Sequence, residues 1–181
     1  MHLYLIRHTA PTIPPGICYG QTDVPTRDED MRQCAARLLQ HLPALLPVYS
    51  SPLSRCLGLA QYLHPSPIVD QRLAELDFGT WEMQTWDAIP REQIDAWAAD
   101  VVHYPPGGNE TLFKMVERVM ALIADLQAQS TDQAILVCHA GVIKILSAWR
   151  SGDTLISLAE RVAQMEQRFE FGSCTETKIV E

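Results

Sequence analysis

The sequence predicts an α/β fold: a three-layer α/β/α sandwich with a mostly parallel central sheet and one antiparallel edge strand. Two apolar runs of buried-strand type, Leu3-Tyr4-Leu5-Ile6 and Ala134-Ile135-Leu136-Val137-Cys138, stand near opposite ends of the chain. Between them, segments with apolar residues at helical spacing alternate with further short strands, the order that builds parallel crossover units. Late in the chain, Phe169 and Phe171 alternate with Arg168 and Glu170, a period-two pattern suited to an edge strand.

Composition narrows the class. The chain has 181 residues, 47% hydrophobic and 20% charged, so it can bury a true core and reads as a single domain over 1–181. A net charge of -8, from 14 Lys and Arg against 22 Asp and Glu, leaves no basic track for a nucleic-acid backbone. A few cations converging in a cleft still suit a small phosphate, because the local field there outweighs distant surface charge. The five cysteines, Cys18, Cys34, Cys56, Cys138 and Cys174, show neither metal-ligand spacing nor a disulfide framework. Scattered thiols, no leader and no apolar run able to span a bilayer predict a cytoplasmic protein without a membrane partner. Both a monomer and a homodimer are compatible with this composition.

The first strand delivers Arg7 and His8 to its carboxyl end, the side of an open α/β sheet where ligands bind. Residues Thr9 to Pro25, with four prolines and two glycines, form an irregular loop. Within it Tyr19-Gly20-Gln21-Thr22-Asp23 offers amide and hydroxyl donors to a ligand; a turn stabilised by Asp23 accounts for the same residues equally well. Met31, Ala35, Leu38, Leu39 and Leu42 predict a helix from Asp28 to Leu42, stopped by Pro43 and Pro47. Val48-Tyr49-Ser50 is a strand, Pro52 a turn, and Ser54 to Leu63 a helix whose first turn carries Arg55 beside an anion-favouring amino terminus.

Ile68-Val69 follows as a short strand, and from Leu73 to Glu82 acidic and apolar residues alternate, so that one carboxylate near the cleft suits an acid catalyst. Met83 to Asp100, rich in Trp and Ala, predicts two short helices split at Pro90; with the turn that follows they form a helical cap inserted around 83–108. Asn109 is the expected cap of a long helix from Glu110 to Gln129, and the donor-rich Gly107-Gly108-Asn109-Glu110 entrance is expected to face a ligand. The strand ending at Cys138 presents His139, followed by a helix from Gly141 to Trp149. Neighbours on a strand point to opposite faces, so Cys138 packs away from the cleft and is no nucleophile. Leu155 to Leu158 reads as a weaker late element.

With Arg7-His8, Arg55 and His139 assembled at one end of the sheet, the chain resembles the histidine phosphatase superfamily, whose fold is phosphoglycerate mutase-like. The resemblance rests on four stretches in order: Leu5-Ile6-Arg7-His8-Thr9, Ser50-Ser51-Pro52-Leu53-Ser54-Arg55, Leu73 through Glu82, and Val137-Cys138-His139-Ala140-Gly141-Val142. Tyr19 through Pro25 and Pro105 through Glu110 are similar to the α-ribazole phosphatase branch. The resemblance implies a metal-independent phosphomonoesterase without a cofactor, acting on a small phosphorylated metabolite, α-ribazole 5′-phosphate first. A broad sugar-phosphate or nucleotide phosphatase is the alternative, and an inactive phosphate-binding scaffold a further one.

By the same resemblance His8 is the nucleophile that forms a phosphohistidine, and Arg7 and Arg55 hold the phosphoryl oxygens. His139 donates to those oxygens, most usefully as a cation. Glu75 is the expected proton donor, with Glu82 a competitor for that role or a water-positioning carboxylate in the substrate site. Two departures stand out: Thr9 replaces the glycine usual after the nucleophile, and Ile13, Pro14 and Pro15 occupy the region of a family asparagine. The Thr9 hydroxyl, and Gln21 or Thr22, are therefore expected to contact the phosphate.

Overall fold

The computed structural model describes residues 1–180. One sheet contains β1 (His2–Arg7), β2 (Val48–Ser50), β3 (Ile68–Val69), β4 (Gln133–Cys138) and β5 (Cys174–Lys178), in the order β3-β2-β4-β1-β5. All pairings are parallel except that of β5 with β1. Helices α1 (Asp28–Leu38) and α2 (Ser54–Leu63) cover one face; a short helix, α3 (Arg91–Ala99), lies in the excursion after β3. On the other face pack α4 (Leu112–Ala128), α5 (Ala140–Ala148) and α6 (Leu155–Ala163). The predicted three-layer architecture with one antiparallel edge is the one that forms.

The two faces divide the strand residues by parity. Leu3 and Leu5 of β1, with Ala134, Leu136 and Cys138 of β4, join the core under α4, α5 and α6. Tyr4, Ile6, Ile135 and Val137 join the core under α1 and α2. Each fully buried aliphatic side chain here contributes about 1.5–3 kcal/mol relative to exposure, which is what holds the central strands between two layers.

Register then sets the site. β4 enters between β1 and β2, and Arg7 pairs with Cys138, so His8 and His139 leave adjacent parallel strands at the same end. The His8 amide donates to the Cys138 carbonyl at 3.1 Å, and the Ser51 amide, just past β2, donates to the Val137 carbonyl at 3.0 Å. Ser51 is thereby brought beside His139.

The edge strand is not where alternation placed it. Residues 168–171 are irregular, and β5 begins at Cys174 after a turn at Gly172, whose φ is +69°. The Phe169 carbonyl accepts from Arg7, and the Phe171 ring lies against Arg7 and His8, so this alternation serves the cleft rather than a ladder. The true edge, Cys-Thr-Glu-Thr-Lys, is polar and carries no hydrophobic period.

Two helix boundaries also shift. α1 ends at Leu38, short of Leu42, the residue before Pro43 that proline steers away from helical geometry. α4 is capped by Thr111, which accepts from the Lys114 amide, because Asn109 and Glu110 are engaged elsewhere: Asn109 donates to Asp77, and Glu110 pairs with Arg118. The Gly107 to Glu110 entrance accordingly packs on residues 77–80 instead of presenting open donors; a Cβ at Gly107 would strike the Phe78 carbonyl.

The Trp-rich excursion has its own small core. Buried Trp81 donates through Nε1 to Gln93 at 2.6 Å and is surrounded by Phe78, Trp97 and Tyr104, with Trp86 stacked on Trp97 at 6.2 Å. The expected pair of short helical segments around Pro90 is present as a single turn at Trp86–Ala88 and α3. No helix among the described residues is long and apolar enough to cross a membrane.

Candidate active site

His8 is 2% exposed, and its imidazole is fixed by a 2.7 Å hydrogen bond from Nδ1 to the Thr9 carbonyl. A carbonyl can only accept, so Nδ1 carries the proton and Nε2 keeps its lone pair. Burial, then the nearby Arg55 and Arg7 charges, push the ring's pKa down to about 3 despite the opposing Thr9 bond. His8 is thus a neutral, oriented imidazole with a free nucleophilic nitrogen.

His139 sits beside it, with ring centroids 5.1 Å apart at an interplanar angle of 62°. Its Nε2 shares a 2.8 Å hydrogen bond with Ser51 Oγ and lies 3.4 Å from Cys56 Sγ. Burial, followed by His8, Arg55, Arg118 and Arg7, holds its pKa well below the usual value. His139 is therefore neutral here, contrary to the cation expected from sequence; the site already holds two guanidiniums, and a third positive charge is costly.

Arg55, in the first turn of α2, is fully buried and donates to the Thr22 carbonyl at 2.8 Å and the Gly20 carbonyl at 2.6 Å. Asp23 caps that helix, accepting from the Ser54 amide and hydroxyl. Arg7 donates to the Phe169 carbonyl at 2.5 Å and lies 3.7 Å above the Phe171 ring. Among the described residues, five buried side-chain polar atoms lack a protein partner; two, Arg7 Nε and Arg55 Nε, are guanidinium donors of this site, and a third, Thr9 Oγ1, belongs to the residue after His8. Unpaired buried donors are expensive, so two guanidinium N–H groups near a neutral imidazole suit an oxyanion.

Glu75 completes the set. Its carboxylate accepts from its neighbour's amide, Leu76, at 3.0 Å and from the Gly141 amide in the first turn of α5 at 3.2 Å. Its backbone is held by α4: Arg118 donates to the carbonyls of Arg72, Ala74 and Glu75, while also pairing with Glu110. Tyr19 stands among these groups, with the Arg55 guanidinium 5.1 Å from its ring centroid and Arg7 and Glu75 within electrostatic reach, and burial raises its phenol pKa.

The pattern of the histidine phosphatase superfamily (branch 1) matches residues 3–165, which include Arg7, His8, Arg55, Glu75 and His139. The chain belongs to this superfamily. It is 30% identical over 160 residues to the adenosylcobalamin/α-ribazole phosphatase of Salmonella typhimurium, covering 82% of this chain and 78% of that protein. To the glucosyl-3-phosphoglycerate phosphatase of Mycolicibacterium vanbaalenii it is 32% identical over 146 residues, 71% of this chain and 64% of the relative. The crystal structure of the α-ribazole phosphatase from Shigella flexneri superposes with a TM-score of 0.79 at 26% identity, over 100% of this chain and 92% of that one.

In this histidine phosphatase, Arg7, His8, Arg55, Glu75 and His139 lie near one another, and Thr9 follows His8 with its side chain at a depression shared with Asp30, Gln33, Cys34 and Arg37. Three other expected residues are used differently. Glu82 accepts from the amides of Gln21, Thr22 and Phe78 and from the Thr22 hydroxyl, so both oxygens clamp the 20–22 loop to the 78–82 turn. Glu82 thus meets loop donors with both oxygens, whereas it was expected at the substrate. The Thr22 hydroxyl is spent on Glu82 instead of a phosphate contact. Gln21 donates its side-chain amide to the Glu75 carbonyl at 2.9 Å, which makes it a support of the acid's loop.

Ser51, Arg118 and Phe171 were not among the residues expected in the site, whereas Tyr19 falls in the stretch expected to offer donors. Ser51 lies inside a motif stretch, and its hydroxyl is the signal that marks it. Arg118 and Phe171 reach the site only through tertiary contacts. Cys138 is buried in the core under α4 and α5, with burial raising its thiol pKa well above normal, as expected of an inert thiol. No group of three His, Cys, Asp or Glu among the described residues is arranged to hold a metal ion.

Proposed function

We propose that this histidine phosphatase hydrolyses phosphate monoesters of small metabolites through a phosphohistidine on His8, with no metal ion. The observation that carries the reading is the His8 tautomer: Nδ1 donates to the Thr9 carbonyl, leaving the Nε2 lone pair beside unpartnered arginine donors. The lone pair attacks phosphorus in line with the ester oxygen; the N–P bond forms as the P–O bond breaks. Glu75 gives its proton to the departing alkoxide, releasing the alcohol. As a carboxylate it then takes a proton from water, whose oxygen attacks phosphorus and frees His8 and inorganic phosphate.

Arg7, Arg55 and the Thr9 hydroxyl stabilise the three equatorial oxygens, supplying the positive field that a metal gives in other phosphoryl transfers. A bound dianion reverses the balance at His139, because negative charge favours its imidazolium, and the ring then becomes a further donor. Residues 83–108 serve as a cap over the site, within a single domain over 1–181.

For the substrate, α-ribazole 5′-phosphate is favoured. Its support is the similarity to the Salmonella adenosylcobalamin/α-ribazole phosphatase and the Shigella α-ribazole phosphatase structure, together with the Tyr19 to Pro25 and Pro105 to Glu110 stretches. The test is turnover of a phosphomonoester panel, including α-ribazole 5′-phosphate and glucosyl-3-phosphoglycerate, in excess chelator, with rapid acid-free quench and mass spectrometry of the labelled peptide. Label on the peptide carrying His8, lost in His8→Ala, is expected; chelator-sensitive turnover or label on Ser, Cys or Asp overturns the mechanism.

A further inference from the structure

The two guanidiniums near His8 are anchored in different ways. Arg55 is fully buried and donates to two loop carbonyls, those of Thr22 and Gly20, which together fix its plane. Arg7 has a single carbonyl, that of Phe169 at 2.5 Å, and the ring of Phe171, whose centroid is 3.7 Å from the guanidinium carbon. At that separation the cation lies flat on the ring, since an edge-on N–H would hold the carbon farther away.

The backbone that carries the ring is tied to the same strand end. The Gly172 amide donates to the Arg7 and His8 carbonyls at 3.1 Å each, and the Arg7 amide donates to the Ser173 carbonyl at 3.0 Å. Residues 169–173 lie outside the stretch 3–165 that the superfamily pattern matches. Phe171 is 39% exposed, so the ring is not a core residue.

We infer that Phe171 is a positioning residue: through a cation–π contact it holds Arg7 in the orientation that keeps the guanidinium Nε–H free for a phosphoryl oxygen. The inference rests on the phosphomonoesterase reading and adds to it a residue from beyond the matched pattern. A guanidinium that meets a ring with its flat side gives up none of its in-plane N–H groups. An aspartate or glutamate in that place would take two of them and cancel the charge. The ring does neither, and Arg7 Nε has no protein partner, so both the charge and the donor are left for an oxyanion.

Without the π face, one hydrogen bond to Phe169 remains as a pivot about which the guanidinium swings. Apparent phosphate affinity then falls by the fraction of molecules that still hold the competent orientation. The strength of a cation–π contact sets the size of that loss, about 2- to 30-fold.

The experiment replaces Phe171 with mono-, di- and trifluorinated phenylalanine, which withdraw charge from the ring face while nearly keeping its shape. Inorganic phosphate binding is read by calorimetry, and kcat/KM on ethyl phosphate by phosphate release. Both are expected to fall stepwise with fluorine count, reaching a loss of about 2- to 30-fold in the trifluoro form, with the urea midpoint unchanged. Phe171→Leu, which keeps apolar bulk without a π face, should lose as much as the trifluoro form. Phosphate affinity that ignores fluorine count, or a leucine variant that matches the wild type, overturns this inference alone. Wild-type protein that neither binds phosphate nor turns over ethyl phosphate overturns the phosphatase reading and this inference together.

Discussion

Arg118→Met should disarm the acid while leaving the phosphate receptor intact. Arg118 donates to the carbonyls of Arg72 at 2.8 Å, Ala74 at 2.7 Å and Glu75 at 3.0 Å, and to Glu110 at 2.6 Å and 2.9 Å. Its side chain is 18% exposed and that of Glu110 15%, so the methionine leaves a mostly buried carboxylate unpaired. Losing one partner of such a pair costs about 3–5 kcal/mol, measurable as a shift in the urea midpoint. Glu110→Gln in the same chain removes the stranded charge, and the double variant should lie above additivity by about 0.5–3 kcal/mol.

The kinetic consequence is selective. Displacing Glu75 by on the order of 1 Å should lower kcat about 100-fold on an alkyl phosphate, whose alkoxide needs a proton to leave. On p-nitrophenyl phosphate, whose phenolate leaves unaided, the loss should be small. KM for both, and inhibition by inorganic phosphate, should change little because Arg7 and Arg55 are untouched. Equal losses on the two esters, or a stability change under about 1 kcal/mol, would refute the reasoning that Arg118 positions the acid.

Three further outcomes follow from the same geometry. His8 and His139 bind protons less readily folded than unfolded, so their stabilisation is complete above about pH 6.5 and is lost as pH falls toward the folded value, about 3 for His8. At about pH 4.5, two units below the unfolded value, His8 alone withdraws about 2.7 kcal/mol at about 1.36 kcal/mol per unit; His8→Gln should lose that much less between pH 7 and 4.5 in urea titrations, and equal losses would sink the claim. Glu82→Gln sets an amide against the four donors it now accepts, so stability should drop by about 2–3 kcal/mol with equal effects on alkyl and aryl esters; a loss confined to alkyl phosphate would restore Glu82 as the acid. Thr9→Val removes an unpartnered buried hydroxyl, so stability should hold within about 0.5 kcal/mol while phosphate inhibition weakens about 5- to 10-fold, read by calorimetry; unchanged phosphate affinity counts against a Thr9 contact.

How much was legible follows from the range of the forces. Buried strands and helical stripes are periodic over a few residues, and the motif chemistry of Arg7-His8, Arg55 and His139 is local to strand ends and a helix start. Those positions survived folding because register carries neighbouring parallel strands to a common edge. Assignments that depended on which partner a side chain prefers did not survive. Glu82 and Thr22 satisfy each other, Gln21 reaches back to the Glu75 carbonyl, and residues 168–171 curl over Arg7 instead of pairing in the sheet.

Sequence by itself determined the three-layer class, the two imidazoles and two guanidiniums at one end of the sheet, and the superfamily. Tertiary structure decided the His8 tautomer, the neutral state of His139, and the hydrogen bonds that place the Glu75 carboxylate at the first turn of α5 and that of Glu82 at the 20–22 loop. The division has one physical cause. Periodicity and residue type are written locally, whereas desolvation and the allocation of hydrogen bonds among competing donors depend on groups that lie far apart in the chain and meet only after folding.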